Sequence, residues 1–313
     1  MTFDLYAELA SLQACPTTSA LPGGLASGLV DGCTMWFTKG ELDPDSKTGN
    51  QKKNEARGCY RKRAAAGALH LPSELRLDPD LGAPRLMYWL AIEIKFKLQS
   101  PWYSKDDRPF HVLDNPVRKD RVFGVPYMSA ASWKGLLRWA CRMQVGLHEH
   151  LQRQGGKMND WSDPDWIIHL FGNEKGEKED FLRGALAFYP TWFDKVRFEV
   201  INPHSRKTRA GTQPILYEVV PPDTEGVLRL LYAPLPDDDG LGAVERIDAL
   251  QKLLDAAEQL LTVYGFSAKR TAGWGIAEVI KARANGGEWK QENPLQEMKD
   301  QLATLLSSEV DQR

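Results

Sequence analysis

The stretch Trp89-Leu-Ala-Ile-Glu-Ile-Lys-Phe-Lys-Leu98 decides how the rest of the chain is read. Ile92, Ile94, Phe96 and Leu98 alternate with Glu93, Lys95 and Lys97, the period of a half-buried strand. Downstream the period changes. From Ser132 the apolar set Trp133, Leu136, Leu137, Ala140 and Cys141 recurs at helical spacing, with Ser129 or Ser132 placed to cap the helix. Runs at 184–189, 195–200, 214–220 and 226–232 read as strands, 244–264 as a second amphipathic helix and 275–280 as a last strand.

That order, strand, helix, several strands, helix, strand, predicts an α+β fold with a ferredoxin-like, RNA-recognition-motif-like core and inserted hairpins. The domain is expected over 88–283. Residues 1–87 read as a long irregular N-terminal extension with a short helix at 3–14, because 21–84 mixes Gly, Pro, Asp, Ser and Lys without sustained periodicity. Residues 284–313 read as a C-terminal helical tail with a proline in its first turn at Pro294.

With 313 residues and 42% apolar content the chain can bury a sizeable core, which excludes collagen, coiled coil and wholesale disorder. Forty Lys and Arg against forty-two Asp and Glu give a net charge of −2, so a polyanion must be held by local patches. Cys15, Cys33, Cys59 and Cys141 are far apart in sequence and form no CxxC pair, so neither a disulfide framework nor a zinc ribbon is expected. The acidic N-terminus and the lack of a bilayer-length apolar run predict a cytoplasmic protein with no membrane partner.

Familiar enzyme motifs are missing: there is no GxxxxGK[ST] and no GxGxxG, and in a helix His148 and His150 point about 200° apart. What remains is basic and glycine-rich. Lys134, Arg138 and Arg142 share one helix face with no acid between Ser132 and Arg142. The loop 111–121 carries Arg118, Lys119 and Arg121 around Asp114 and Asp120, and 202–212 carries His204, Arg206, Lys207 and Arg209 with no acid. Gly265-Phe-Ser-Ala-Lys-Arg-Thr-Ala-Gly-Trp-Gly275 adds Lys269 and Arg270, glycines that admit a phosphate backbone, and Phe266 and Trp274 as rings on which bases stack. The basic stretch 39–63 reads as a solvated loop or as a segment ordered by RNA or a neighbouring subunit. Together the patches point to a nucleic-acid track.

Three of these segments resemble the RAMP superfamily of CRISPR type III effectors, specifically the backbone subunits that polymerise along the guide RNA. Val125-Pro-Tyr-Met-Ser-Ala-Ala-Ser-Trp-Lys-Gly-Leu-Leu-Arg138 is similar to the family's PGSSlKGalR stretch, although Met128-Ser-Ala-Ala-Ser132 replaces Pro-Gly-Ser-Ser. Gly265 to Gly275 is similar to its glycine-rich loop, and 198–221 to the segment in which these subunits run through a thumb, here near 200–214. Leu113-Asp-Asn-Pro-Val-Arg-Lys-Asp120 resembles the loop that carries the target-cleaving aspartate, so the resemblance makes Asp114, not Asp120, the catalytic candidate.

The resemblance implies a guide-RNA (crRNA) binding subunit that pairs with target RNA and other type III effector subunits. It would act as an endoribonuclease through Asp114 and a divalent ion, magnesium or manganese. RNA phosphates would be held by Arg118, Lys119, Ser132, Lys134, Arg138, Arg142, His204, Arg206, Lys207, Arg209, Lys269 and Arg270, with Gly265, Gly273 and Gly275 allowing close approach. Two rivals stay open: a non-catalytic RAMP cap or spacer in which Asp114 only caps a turn, and a metal-independent ribonuclease that trims precursor guide RNA with His111 or His204.

Overall fold

The computed structural model describes residues 10–15, 28–65, 69, 79, 81–84, 86, 88–106, 111–120, 124–173, 182–203, 211, 213–235 and 241–307. Its elements in chain order are α1 (Gly28–Glu41), α2 (Ser46–Ala65), β1 (Leu90–Leu98), β2 (Tyr127–Met128), α3 (Ala130–Gln144), α4 (Leu147–Arg153), α5 (Asp165–Phe171), β3 (Leu186–Phe188), β4 (Thr191–Trp192), β5 (Arg197–Ile201), β6 (Ile215–Val219), β7 (Glu225–Tyr232), α6 (Ala243–Gln259), β8 (Ala277–Ala284) and α7 (Pro294–Ser307). The last turn of α6 continues as a π-helical turn, Leu260–Tyr264.

The predicted strand at 89–98 becomes β1, the centre of an antiparallel four-stranded sheet of order β3-β7-β1-β8. Its apolar face carries Ile92, Ile94 and Phe96, which share one core with Trp133 and Leu137 of α3 and Leu250, Leu253 and Leu254 of α6. Ser129 caps α3, its hydroxyl accepting from Ser132 N at 3.1 Å, and Trp133 Nε1 donates to Thr191 Oγ1 at 3.0 Å inside the core. On the other face the simple polar-out rule fails at Glu93, which is buried. Its cross-strand neighbours on both sides are arginines, and its two carboxylate oxygens accept from Arg229 Nε at 2.9 Å and Arg283 Nε at 2.6 Å.

The helical tail at 284–313 joins the core rather than trailing from it: Leu295, Met298 and Leu302 of α7 are buried in the main cluster. The strands that flank the expected thumb, β5 and β6, pair from Arg197↔Val219 to Ile201↔Ile215, and most of 200–214 between them lies outside the described residues.

The irregular reading of 1–87 is corrected by α1 and α2, which form a helical hairpin. The apolar periodicity of α2 is thin because the two helices cross at small residues. A Cβ on Gly49 would lie 2.5 Å from the carbonyl oxygen of Gly40, so the two backbones approach where both side chains are missing. In place of a broad apolar stripe, α2 buries only Gly49, Ala56 and Tyr60. The basic stretch 39–63 is therefore mostly helix, and the helix proposed at 3–14 falls largely outside the described residues. The hairpin also brings Cys15, Cys33 and Cys59 together, against the expectation from their sequence separation. Among the described residues no helix is long and apolar enough to cross a membrane.

Candidate functional site

The loop 111–120 lies along β6 and is locked to it from both sides. Glu218 N donates to Asn115 O at 3.0 Å, and Asn115 Nδ2 donates to Leu216 O at 3.2 Å. Beneath them the buried Glu218 carboxylate accepts from Val117 N at 3.0 Å, from Tyr60 Oη of α2 and from Lys119 Nζ. Buried charge survives only when paired in this way. With its flanks fixed, Asp114 turns outward, its side chain 82% exposed.

Opposite Asp114 stands α2, whose Asn54, Arg57 and Arg61 recur at i, i+3 and i+7 on one face. With Leu113, Asp114, Asn115 and residues 213–216 they line an open groove of about 700 Å³. Arg57 Nη2 is 3.2 Å from Asp114 Oδ1, and Arg57 Nε donates to Val112 O at 3.3 Å. Asn54, Arg57 and Arg61 are absent from the sequence-derived site because their helix was read as a loop, and Gln213, just before β6, carries no charge to mark it. Asp45, which accepts from Lys47 N at 3.1 Å and Thr48 Oγ1 at 2.6 Å, is the N-cap signal that announces it.

A second groove, of about 370 Å³, joins two of the predicted segments: Ser132 and Gly135 of α3 face Phe266, Ser267, Ala268 and Arg270 of the glycine-rich loop across Ser104 and Met128. Arg270 lies 4.4 Å from the Trp139 ring centre, and its Nη1 is buried without a hydrogen-bond partner; burial also pushes its pKa down. Lys134 is exposed near this groove's helix, its pKa lowered by partial burial and by Arg138. Lys269 sits 5.0 Å from the ring centre of Tyr217. Arg118 is half-buried, its backbone N donating to Ser104 O at 2.7 Å.

Several predicted contacts are redirected inward. Arg138 and Arg142 both grip Asp163, at 2.6 Å each, so two of the three cations on the α3 face share one anion from a distant loop. Lys119 is buried against Glu218 and is not presented to solvent. Phe266 is 2% exposed and stacks on Trp133 in the core, while Trp274 packs edge-on against Tyr103 and Tyr217. Gly265 and Gly275 serve the loop's own closure: a Cβ on Gly265 would lie 2.8 Å from Trp274 O, and one on Gly275 2.5 Å from Ser267 N. Of these glycines only Gly273 faces open space, at φ +75°. His111 accepts from Leu113 N at 3.0 Å and stands edge-on to Tyr60, a structural placement. His204, Arg206, Lys207 and Arg209 lie outside the described residues.

A family model described as the RAMP superfamily matches residues 95–278, which hold the whole second groove and the Asp114 side of the first, while the α2 wall of the first precedes the match. The chain belongs to the RAMP superfamily. Two solved structures resemble this RAMP protein at low identity. One is a Type III-B Cmr-beta complex bound to cognate target RNA, with 12% identity and a TM-score of 0.47, covering 90% of this chain and 96% of that one. The other is a Csm3-Csm4 subcomplex of a type III-A CRISPR-Cas interference complex, with 15% identity and a TM-score of 0.42, covering 71% and 98%. No curated protein matches the chain.

As a metal site, Asp114 offers this RAMP chain one exposed carboxylate. Among the described residues no group of three His, Cys, Asp or Glu ligands gathers around it. A single carboxylate suits a hard cation that keeps its waters and takes its other ligands from phosphate oxygens, the way magnesium is commonly held.

Proposed function

We propose that the chain is a guide-RNA-binding backbone subunit of a type III CRISPR ribonucleoprotein, built on a ferredoxin-like core, that cleaves paired target RNA at the Asp114 groove. The observation that carries this reading is the exposed Asp114 carboxylate, fixed on its loop by Glu218 and set in a groove walled by Arg57 and Arg61. The core reading is supported by its strand order: β1, β3, β7 and β8 with α3 and α6 interposed give the split βαβ arrangement in which each neighbouring pair is antiparallel. The second groove, where the α3 entry meets the glycine-rich loop, suits the guide backbone, with Ser132 and Arg270 as its donors.

In the cleaving groove Arg57 and Arg61 hold the phosphates beside the scissile bond and offset the charge that develops there. Asp114, once phosphate competes for the Arg57 guanidinium, would be free to hold magnesium or manganese. When bound, that ion would lower the pKa of an attacking ribose hydroxyl and offset the charge that builds on the phosphate oxygens.

One observation favours the non-catalytic spacer as a second reading, namely that Asp114 is ion-paired to Arg57. The test is cleavage of target RNA by the reconstituted particle. Asp114→Ala is expected to abolish cleavage while leaving guide retention unchanged, and Asp120→Ala to leave both intact. Chelating the divalent ion should reproduce the Asp114→Ala result in the unmodified particle. Full cleavage by Asp114→Ala selects the spacer reading.

A further inference from the structure

Away from both grooves, three thiols from three separate parts of the chain converge. Cys15 follows the short N-terminal segment, Cys33 is on α1 and Cys59 on α2, and their sulfur atoms all lie within 4.8 Å of one another. Cys33 is fully buried and the other two are half-buried. It is the one such group of metal-ligand side chains among the described residues. Burial and the adjacent Cys59 thiol push the Cys33 thiol up to about 11, with Arg63 acting in the opposite sense, and burial together with its two neighbours raises Cys15 further. As neutral thiols they are poor hydrogen-bonding groups set in a crowded, partly dry pocket.

We infer that Cys15, Cys33 and Cys59 form a structural zinc site in which three thiolates hold the ion and water takes the fourth position. The spacing fits. A zinc–sulfur bond of about 2.3 Å in tetrahedral geometry sets sulfurs about 3.8 Å apart, which small side-chain rotations reach from the observed separation. The charge also fits: three thiolates around a divalent cation leave one net negative charge, and Arg63 Nη1 stands 3.9 Å from Cys33 Sγ to meet it. A disulfide would satisfy only two of the three sulfurs and leave the odd thiol crowded against it.

The site has a structural task. Segment 10–15 touches the hairpin through Lys39 Nζ, which donates to Ala10 O at 3.4 Å and also to Leu12 O. An ion shared by Cys15, Cys33 and Cys59 ties that segment to both helices at once, beside the small apolar cluster of Cys33, Trp36, Ala56 and Tyr60. Cys59 is on the same helix as Arg57 and Arg61, so the ion also steadies the groove wall.

The experiment uses the full chain. Elemental analysis of protein purified without chelator is expected to give about one zinc per chain, the stoichiometry of a single mononuclear site. Cobalt added to the stripped protein should produce the ligand-field and sulfur-to-metal bands of a tetrahedral thiolate site, and Cys15→Ser, Cys33→Ser or Cys59→Ser should each weaken zinc binding at least tenfold. Cys15 lies outside both helices in the chain, so Cys15→Ser leaves their sequences unchanged, and a folded circular dichroism spectrum with zinc lost supports the site. Three results each overturn it: stripped protein that takes up neither zinc nor cobalt, a disulfide between two of these cysteines in freshly purified protein, or undiminished zinc affinity in folded Cys15→Ser.

Discussion

Asp163 illustrates how one residue reassigns others. Its carboxylate is 3% exposed and accepts from Arg138, Arg142 and Trp161 Nε1, so a face that reads as a phosphate track in sequence is partly a packed ion cluster. Burial opposes ionisation of Asp163, but the hydrogen bonds from Arg142, Trp161 and Arg138 outweigh it and hold the carboxyl below its ordinary value of 3.8. A folded-state pKa below the unfolded one means the stabilisation is fully present above the unfolded value and is lost as pH falls through the folded one. Acid unfolding of the native protein should therefore steepen below pH ~4, and Asp163→Asn should flatten that limb while lowering stability near neutral pH. Removing the shared anion leaves two half-buried guanidinium groups facing each other, at a cost of about 3 kcal/mol, the lower end for a broken buried pair because the arginines keep some exposure. Urea titrations across pH measure both effects; an Asp163→Asn protein as stable as the native one would return Arg138 and Arg142 to the RNA surface.

At the scale of elements, the strand at 89–98, the helix from Ser132 and the helix ending at Tyr264 are legible because each repeats large apolar residues at its own period. The α1–α2 hairpin is not, because α2 buries only Gly49, Ala56 and Tyr60, too few large apolar residues to show a period. The same failure hid half of the candidate site: Asp114 is found from its loop, but Arg57 and Arg61 become site residues only once α2 is a helix. The pairing of Arg138 and Arg142 is hidden for a different reason, since their anion lies over twenty residues away in the chain, at Asp163. The hairpin can be tested by two glycines of one helix. Gly49→Ala places a Cβ 2.5 Å from a backbone oxygen and should cost about 1–3 kcal/mol by overpacking. Gly58→Ala meets nothing within 4 Å and should stabilise α2 by about 0.5–1 kcal/mol through helix propensity. Thermal denaturation of the two variants should shift in opposite directions; equal shifts would mean the helices do not cross at Gly40.

On the scale of the whole molecule, a net charge of −2 means long-range attraction to RNA is weak and binding rests on the cations left unneutralised at the two grooves. Arg229 and Arg283 share Glu93, Lys119 serves Glu218, and Arg138 and Arg142 share Asp163, so these five side chains are turned onto three buried carboxylates and are not presented to RNA. Arg61 beside Asp114 and Lys134 on the outer face of α3 are exposed and remain available. Affinity for single-stranded RNA should fall with salt by about 0.7 in the logarithmic slope for each phosphate neutralised. Arg61→Gln and Lys134→Gln should each flatten the slope by about 0.7 and weaken all sequences alike. Arg142→Gln, assayed well below its unfolding temperature, should leave the slope unchanged because that charge is already spent on Asp163. Filter binding over a salt series with two unrelated RNAs measures all three. A flattened slope in Arg142→Gln would mean that RNA pulls the α3 cations away from Asp163. Sequence-dependent losses in Arg61→Gln would mean that this groove reads bases, which a subunit that leaves specificity to guide–target pairing has no need to do.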